Sequence, residues 1–358
     1  MKKKKKIIVS FGTRPEIIKL APIIQILKKK KINFKLVHSG QHYSKNMSNI
    51  FLEYFNIKKI DYNLKLGLKN NSFNFIKAFS KKFKEILLKE KPDSLIIQGD
   101  TNTCLISALT AKNLKNSNKL NTKIIHVEAG LRSYDKTMPE ESNRITVDHI
   151  SDLLFPPTKI QKKILLKEGI KKPIFVVGST IVDNLKNRKI TTIKKKFFLL
   201  TIHRFENVMN KFRLSKIMNI MKKISNKYGI KVIFPCHPNT QSKIKLYKIK
   251  IDENIKIINP VNYDKFLSYL KSCSVVFSDS GGLQEEACIL KKHLITFRNN
   301  TERPETIQID ANFLSMLNEK KVLNKIKKIT SKKIILKRHP YGNRVSSKIV
   351  NLIIKDEI

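Results

Sequence analysis

An α/β fold built from two Rossmann-like halves is what this sequence predicts, on three observations. Short runs rich in β-branched residues alternate with amphipathic helical stretches over nearly the whole chain, the pattern of parallel strands joined by crossover helices. That pattern restarts near the middle. The length, 358 residues, exceeds what one hydrophobic core usually spans, and the 41% hydrophobic content is enough for two well-packed interiors.

In the first half, strands are expected at 6–11, 34–38, 94–98, 123–127, 153–155 and 174–177. In the second, they are expected at 197–202, 231–235, 255–258, 274–277 and 293–297, with helices such as 212–227 and 263–272 between them. The boundary falls near 178–195, giving domains 1–178 and 179–344, with a terminal helix over 345–358 packing back on the first.

Composition excludes several classes. No stretch approaches the roughly 20 apolar residues of a membrane helix, and the run Lys2 to Lys6 leads straight into a strand. The expectation is no signal peptide and no anchor. Four dispersed cysteines form no CxxC pair, which suggests neither zinc nor disulfides and fits a reducing cytoplasm. The formal charge is +45, yet the lysines are spread over almost every helix face and no nucleic-acid-binding motif accompanies them, so no nucleic-acid partner is expected. Only 10 of the 73 basic residues are arginine, and only 11 residues are glycine. A retained arginine therefore marks a place needing a planar five-donor fork, and a retained glycine marks positive φ or close backbone approach.

In open parallel sheets, ligands bind beyond the carboxyl ends of the strands. After the first strand comes Gly12-Thr13-Arg14-Pro15-Glu16, with capping-box spacing and a proline suited to a first helical turn, so amides and Arg14 face an anion. A plain helix cap is the alternative. Asp100, in Gln98-Gly99-Asp100-Thr101, and Glu128, in His126-Val127-Glu128-Ala129-Gly130, each end a strand, where neighbouring strands bring both to one ligand. Asp100 could instead cap a helix. Glu128 follows an apolar strand, where burial of a carboxylate has no structural reason visible in the sequence. Pro139-Glu140-Glu141 starts a helix, and Glu140 has the i,i+4 spacing of a surface pair with Arg144.

Two histidines follow strands in the second half, His203 and His237; either is as readily structural as ligand-facing, and no third group supports a metal. Ser278-Asp279-Ser280-Gly281-Gly282 leads into a helix whose amides suit a diphosphate, with Glu286 one turn inside, within reach of a ribose. It is neither GxGxxG nor a Walker loop.

In the segments GTRPEIIKLAPII, SGQHYSKNMS, QGDTNT, HVEAGLRS, MPEESNR, VGSTIVDN, HRFENV, DSGGLQEEACIL and NTERPE, the chain resembles the non-hydrolysing UDP-N-acetylglucosamine 2-epimerases, archaeal-type members above all, almost end to end. The resemblance implies a GT-B-like fold, two Rossmann-like domains with parallel sheets facing a central cleft that holds a UDP-sugar. It implies a homodimer in cell-surface polysaccharide synthesis, without metal or other cofactor. The implied reaction removes the C2 proton and expels UDP to give 2-acetamidoglucal, then re-adds UDP with protonation on the opposite face. Carried over by motif, Asp100, Glu128 and Glu140 are the acid/base groups and His203 supports catalysis at the diphosphate. Arg14, Lys19, His237, Ser280, Gly281, Gly282, Glu286 and Arg303 form the implied UDP-sugar-binding set.

Tyr43 and Phe205 stand where family members activated by a second substrate molecule carry arginine, which argues against such activation. Residues 311–317 also lack the glycines expected there. Competing readings are a 2-epimerase of a 2,3-diacetamido uronate sugar nucleotide, a hydrolysing epimerase releasing ManNAc, a GT-B glycosyltransferase, and a non-catalytic binding protein. The three carboxylates together disfavour the last.

Overall fold

The computed structural model describes residues 5–41, 51–57, 59–66, 73–186, 188–331 and 336–355. It divides into two compact units, Met1–Asn187 with Pro340–Ile358, and Arg188–His339. In the first unit, β1 (Lys6–Phe11), β2 (Asn33–His38), β3 (Tyr62–Asn63), β4 (Ser94–Gln98), β5 (Lys123–Val127) and β6 (Leu153–Phe155) form a parallel sheet in the order β3-β2-β1-β4-β5-β6. In the second, β7 (Phe198–Thr201), β8 (Val232–Pro235), β9 (Ile255–Ile258), β10 (Val276–Ser278), β11 (Leu294–Thr296) and β12 (Asn312–Leu314) take the order β12-β11-β10-β7-β8-β9.

Counted from its own first strand, each sheet has the same doubly wound order, so the expected pair of Rossmann-like units is what the chain forms. Each order reverses direction at one place, between β1 and β4 in the first unit and between β7 and β10 in the second. Crevices at the carboxyl ends of such strand pairs are where this architecture binds ligands. The central strands read as continuous apolar runs because helices cover both faces; Ile7, Ile8 and Val9 are wholly buried.

The expected strand at 174–177 does not form. That segment runs beside β6, with Phe175 N–H donating to Leu154 O at 3.0 Å and Val177 N–H to Pro156 O at 3.3 Å, but only the bridge Leu154–Ile174 is strand-like. Pro156 and Pro157 follow β6 and have no N–H to give, so the ladder stops. The edge strands β3 and β12, of two and three residues, were not expected.

The helix Val345–Ile354 lies against the helix Arg14–Lys29 in the first unit. Asp183 accepts from the N–H of Val345 at 3.2 Å and of Ser346 at 2.7 Å, satisfying amides that the helix start leaves open. A Cβ on Gly178 would sit 2.2 Å from Tyr341 O, so only glycine lets that segment close onto the first unit.

Candidate active site

In the first unit, the turn after β1 is held by Glu16. Its carboxylate accepts from the N–H of Gly12 at 2.9 Å, the N–H of Thr13 at 2.8 Å and the hydroxyl of Thr101 at 2.8 Å. Burial pushes its pKa up to about 7, although these bonds oppose the shift. Glu16 thus ties the turn after β1 to the turn after β4, across the reversal point of the sheet. Gly12 is required by packing: a Cβ would lie 2.1 Å from Ser39 Oγ and 2.3 Å from Thr103 Oγ1. Arg14 is exposed, with its guanidinium 4.7 Å from the centre of the Phe51 ring.

After β4, Gly99 has φ +76°, a conformation that favours glycine, and Asp100 follows it. The Asp100 carboxylate pairs with Arg144, whose other arm donates to Glu141 at 2.7 Å. The Asp100 carbonyl accepts from Asn143 Nδ2 at 2.9 Å. Both donors come from the helix Pro139–Ile150. The i,i+4 spacing suggested a surface pair between Glu140 and Arg144; instead Glu141 takes Arg144 and the Ser133 and Tyr134 amides, and is buried. Glu140 is exposed in the first helical turn.

After β5, Glu128 sits at φ +70°, a left-handed conformation that is uncommon for a residue with a side chain and concentrates at functional sites. Its carboxylate pairs with the Lys19 ammonium and accepts from Gln98 Nε2 at 2.6 Å. The structural reason for its burial, invisible in the sequence, is Lys19, one turn beyond Glu16 on the first helix.

In the second unit, His203 follows β7 and Asp279 follows β10, again flanking the reversal point. His203 Nδ1 lies 3.0 Å from Asp279 Oδ1, and the imidazole is half exposed. Asp279 is fully buried and also accepts from the amides of His203 and Arg204 and from Asn207 Nδ2. Burial alone would raise its pKa, but His203, Asn207 and the Arg204 amide hold it below the usual carboxylate range.

Ser280, Gly281 and Gly282 start the helix Gly281–Ile289, and the Ser280 side chain does not cap it. Around Gly281 lie Glu302 Oε2, Arg204 and Arg298, the nearest 3.5 Å from where its Cβ would be, while a Cβ on Gly282 would meet nothing within 4 Å. Neither glycine has positive φ. No local packing requires glycine at 282, so the bare helix start is open to an approaching anion. Arg298 holds Glu302 through two bonds of 2.8 and 2.9 Å, and Arg204 lies 3.6 Å from the same carboxylate, so two guanidiniums are gathered at this helix start.

Glu286, one turn into this helix, accepts from the Tyr263 hydroxyl at 2.5 Å. Arg303 is buried, with Nε 3.2 Å from Glu285 Oε1. His237 caps the helix Pro238–Leu246 through its Nδ1, which accepts from Asn239 N–H at 3.2 Å. Phe205 is exposed, and Tyr43 lies outside the described residues.

A family model described as UDP-N-acetylglucosamine 2-epimerase matches residues 25–355. The chain belongs to the UDP-N-acetylglucosamine 2-epimerase family. A member named UDP-N-acetylglucosamine 2-epimerase, from Methanocaldococcus jannaschii, is 45% identical over 368 residues, covering 97% of this chain and 98% of that one. The crystal structure of Methanocaldococcus jannaschii UDP-GlcNAc 2-epimerase in complex with UDP-GlcNAc and UDP matches with a TM-score of 0.86 at 42% identity, covering 97% of this chain and 99% of that one. A Pseudomonas aeruginosa relative named UDP-2,3-diacetamido-2,3-dideoxy-D-glucuronate 2-epimerase is 34% identical over 320 residues, covering 86% and 88%.

Several residues of this epimerase family chain were not singled out from the sequence. Gln98 donates to Glu128, Glu141 accepts from Arg144, and Asp279 pairs with His203. His126 and Asp148 form a buried pair, Nδ1 to Oδ1 2.7 Å, behind the Asp100 and Glu128 turns. For Gln98 and His126, a polar residue in an apolar strand was the available signal, and by itself it reads as core. Among the described residues, no helix is long and apolar enough to cross a membrane, and no group of three metal-ligating side chains could hold a metal ion.

Proposed function

We propose that the protein is a non-hydrolysing UDP-N-acetylglucosamine 2-epimerase that interconverts UDP-GlcNAc and UDP-ManNAc. The observation that carries the reading is a set of three carboxylates in three settings. Asp100 is on a guanidinium, Glu128 is buried on an ammonium, and Glu140 is exposed. Epimerisation needs that variety, since one group must take a proton from one face of C2 while another delivers it to the opposite face.

The C2–H bond of such a sugar is not acidic until the C1–O bond to UDP weakens and positive charge develops at C1. Departure of UDP and removal of the proton are therefore coupled, giving 2-acetamidoglucal, and stabilising the leaving diphosphate speeds both. The amides of Gly281 and Gly282 at the start of a helix that the Ser280 side chain does not cap, with His203, Arg204 and Arg298, are the groups proposed for that task, while the Ser280 N–H donates to Ser278 Oγ at 3.0 Å and shapes the turn. Glu286 is proposed at the ribose, Arg14 as an anion contact, and Lys19 as the ion-pair partner that holds the Glu128 carboxylate in place. Arg303 is ion-paired with Glu285 and His237 accepts from the Asn239 N–H, which supports a bracing role for each at the margin of the nucleotide site. The proposal extends to a cytoplasmic homodimer serving cell-surface polysaccharide synthesis, as the family resemblance implies.

The test is incubation with UDP-GlcNAc in D2O, followed by NMR. UDP-ManNAc carrying deuterium at C2 is the expected product. Free ManNAc would identify a hydrolysing enzyme, and absence of exchange would sink the proposal. The lower identity to the diacetamido-uronate 2-epimerase favours UDP-GlcNAc as substrate; turnover of the uronate alone would reverse that preference.

A further inference from the structure

His126 lies in β5 between Ile125 and Val127 and is buried. Its Nε2 is 2.8 Å from Gly99 O, and its Nδ1 is 2.7 Å from Asp148 Oδ1. A carbonyl oxygen only accepts, so Nε2 carries a proton. Asp148 is fully buried; burial would raise its pKa, but His126 and Arg132 together hold it below the usual carboxylate range. Asp148 thus meets Nδ1 at hydrogen-bond distance on the side of the ring away from Gly99.

A core histidine serving only to fill space has no use for two buried polar partners, which must be taken out of water to meet it. The bonds this ring makes show what it holds. Its Nε2 end fixes the carbonyl of Gly99, the residue before Asp100, at a φ of +76° where a glycine peptide is otherwise readily reoriented. Its Nδ1 end fixes Asp148, whose second oxygen accepts from Gly130 N–H at 3.1 Å and Arg132 at 2.8 Å. Gly130 lies two residues after Glu128. Asp148 belongs to the helix Pro139–Ile150, which carries Glu140 and supplies Asn143 and Arg144 to Asp100. One buried pair thus touches each of the three segments bearing the proposed acid/base groups. Arg132 in turn donates to Glu168 through bonds of 2.8 and 2.5 Å, so the brace continues from His126 to Glu168.

We propose that His126, braced by Asp148, is a positioning residue for C2 proton transfer, holding the Gly99 peptide so that Asp100 meets the sugar in register. The inference rests on the epimerase reading. It predicts an order among variants that packing alone does not. In His126→Gln the side-chain amide can occupy the place of Nε2 and donate to Gly99 O; in His126→Asn it replaces Nδ1 instead and leaves that carbonyl without its donor. With UDP-binding sites used to count folded enzyme, His126→Asn should lower kcat about 100-fold, the scale of an ångström of misplacement, while KM and UDP affinity stay within about twofold. His126→Gln should retain at least about tenfold more kcat than His126→Asn.

Equal losses in the two variants, or UDP affinity falling in step with kcat, would overturn the proposal. A second measurement needs no variant enzyme to be active: 15N-histidine NMR of the wild-type protein should show His126 Nε2 protonated and hydrogen-bonded to the Gly99 carbonyl, and a bare Nε2 would overturn it as well. Failure of the wild type to exchange C2 deuterium with UDP-GlcNAc would instead remove the epimerase reading, a separate and recognisable result.

Discussion

The ammonium of Lys19 lies on the carboxylate of Glu128, and both side chains are buried. Breaking a buried pair from one side leaves the other charge desolvated, which typically destabilises by about 3–5 kcal/mol. Lys19→Met should therefore lower stability by that order in urea denaturation. Adding Glu128→Gln should recover a large part of the loss, yet the double variant should not exchange C2 deuterium. A double variant as unstable as Lys19→Met would contradict the pairing.

Arg144 spans Asp100 and Glu141 with the two arms of one guanidinium, a task that lysine cannot reproduce because its ammonium is a single point. Arg144→Lys should reduce kcat by about one to two orders of magnitude with little change in UDP affinity. Steady-state kinetics beside UDP titration checks this; unchanged kcat would show that Asp100 needs no such holder.

Gly282 gives a prediction of opposite signs. A Cβ there meets nothing, so Gly282→Ala should raise stability by about 0.4–1 kcal/mol through the unfolded chain. The same methyl group stands where a diphosphate would approach, so UDP affinity should fall, by about tenfold for a lost close contact of about 1.4 kcal/mol. Thermal melts and calorimetric UDP titration separate the two effects, and gains in both would dismiss the anion site.

Glu16 sets a pH dependence whose sign can be worked out. Its folded-state pKa is raised from the ordinary 4.5 to about 7, so the folded protein binds its proton more tightly than the unfolded chain. The resulting stability is complete below about 4.5 and is lost as pH rises through about 7, on the order of 3 kcal/mol in all. Asp148 and Asp279 act in the other sense, since their lowered pKa values contribute stability that disappears as pH falls through the acid range. Denaturation at pH 5, 6, 7 and 8 should show stability declining in the wild type, and a flatter profile in Glu16→Gln. Identical slopes would refute the assignment.

Strands 6–11, 94–98, 123–127, 153–155 and 255–258 were legible to the residue, because buried parallel strands are continuous apolar runs closed by polar turns. The edge strands β3 (Tyr62–Asn63) and β12 (Asn312–Leu314) were not, since neither carries the continuous apolar run that marks the equally short edge strand Leu153–Phe155. The segment 174–177 misled because its apolar character is that of a strand, whereas the partner beside it runs into two prolines. In the site, the turns after β1, β4, β5, β7 and β10 could be located from strand ends alone. The partnerships could not: Lys19 and Glu128 are 109 positions apart, and no spacing rule reaches that far. Glu140 and Glu141 are the sharpest case. Adjacent and alike in sequence, they are separated by the helix's turn of about 100° per residue into an exposed carboxylate and a buried brace for Arg144.

The first unit is closed by a helix that the chain reaches only after passing through residues 188–339. As the polypeptide leaves the ribosome, the second unit therefore has all of its strands before the first has its last helix. The long helix carrying Arg14, Glu16 and Lys19 emerges early and waits, with the face that will meet Val345–Ile354 still wet, until nearly the whole chain has been translated.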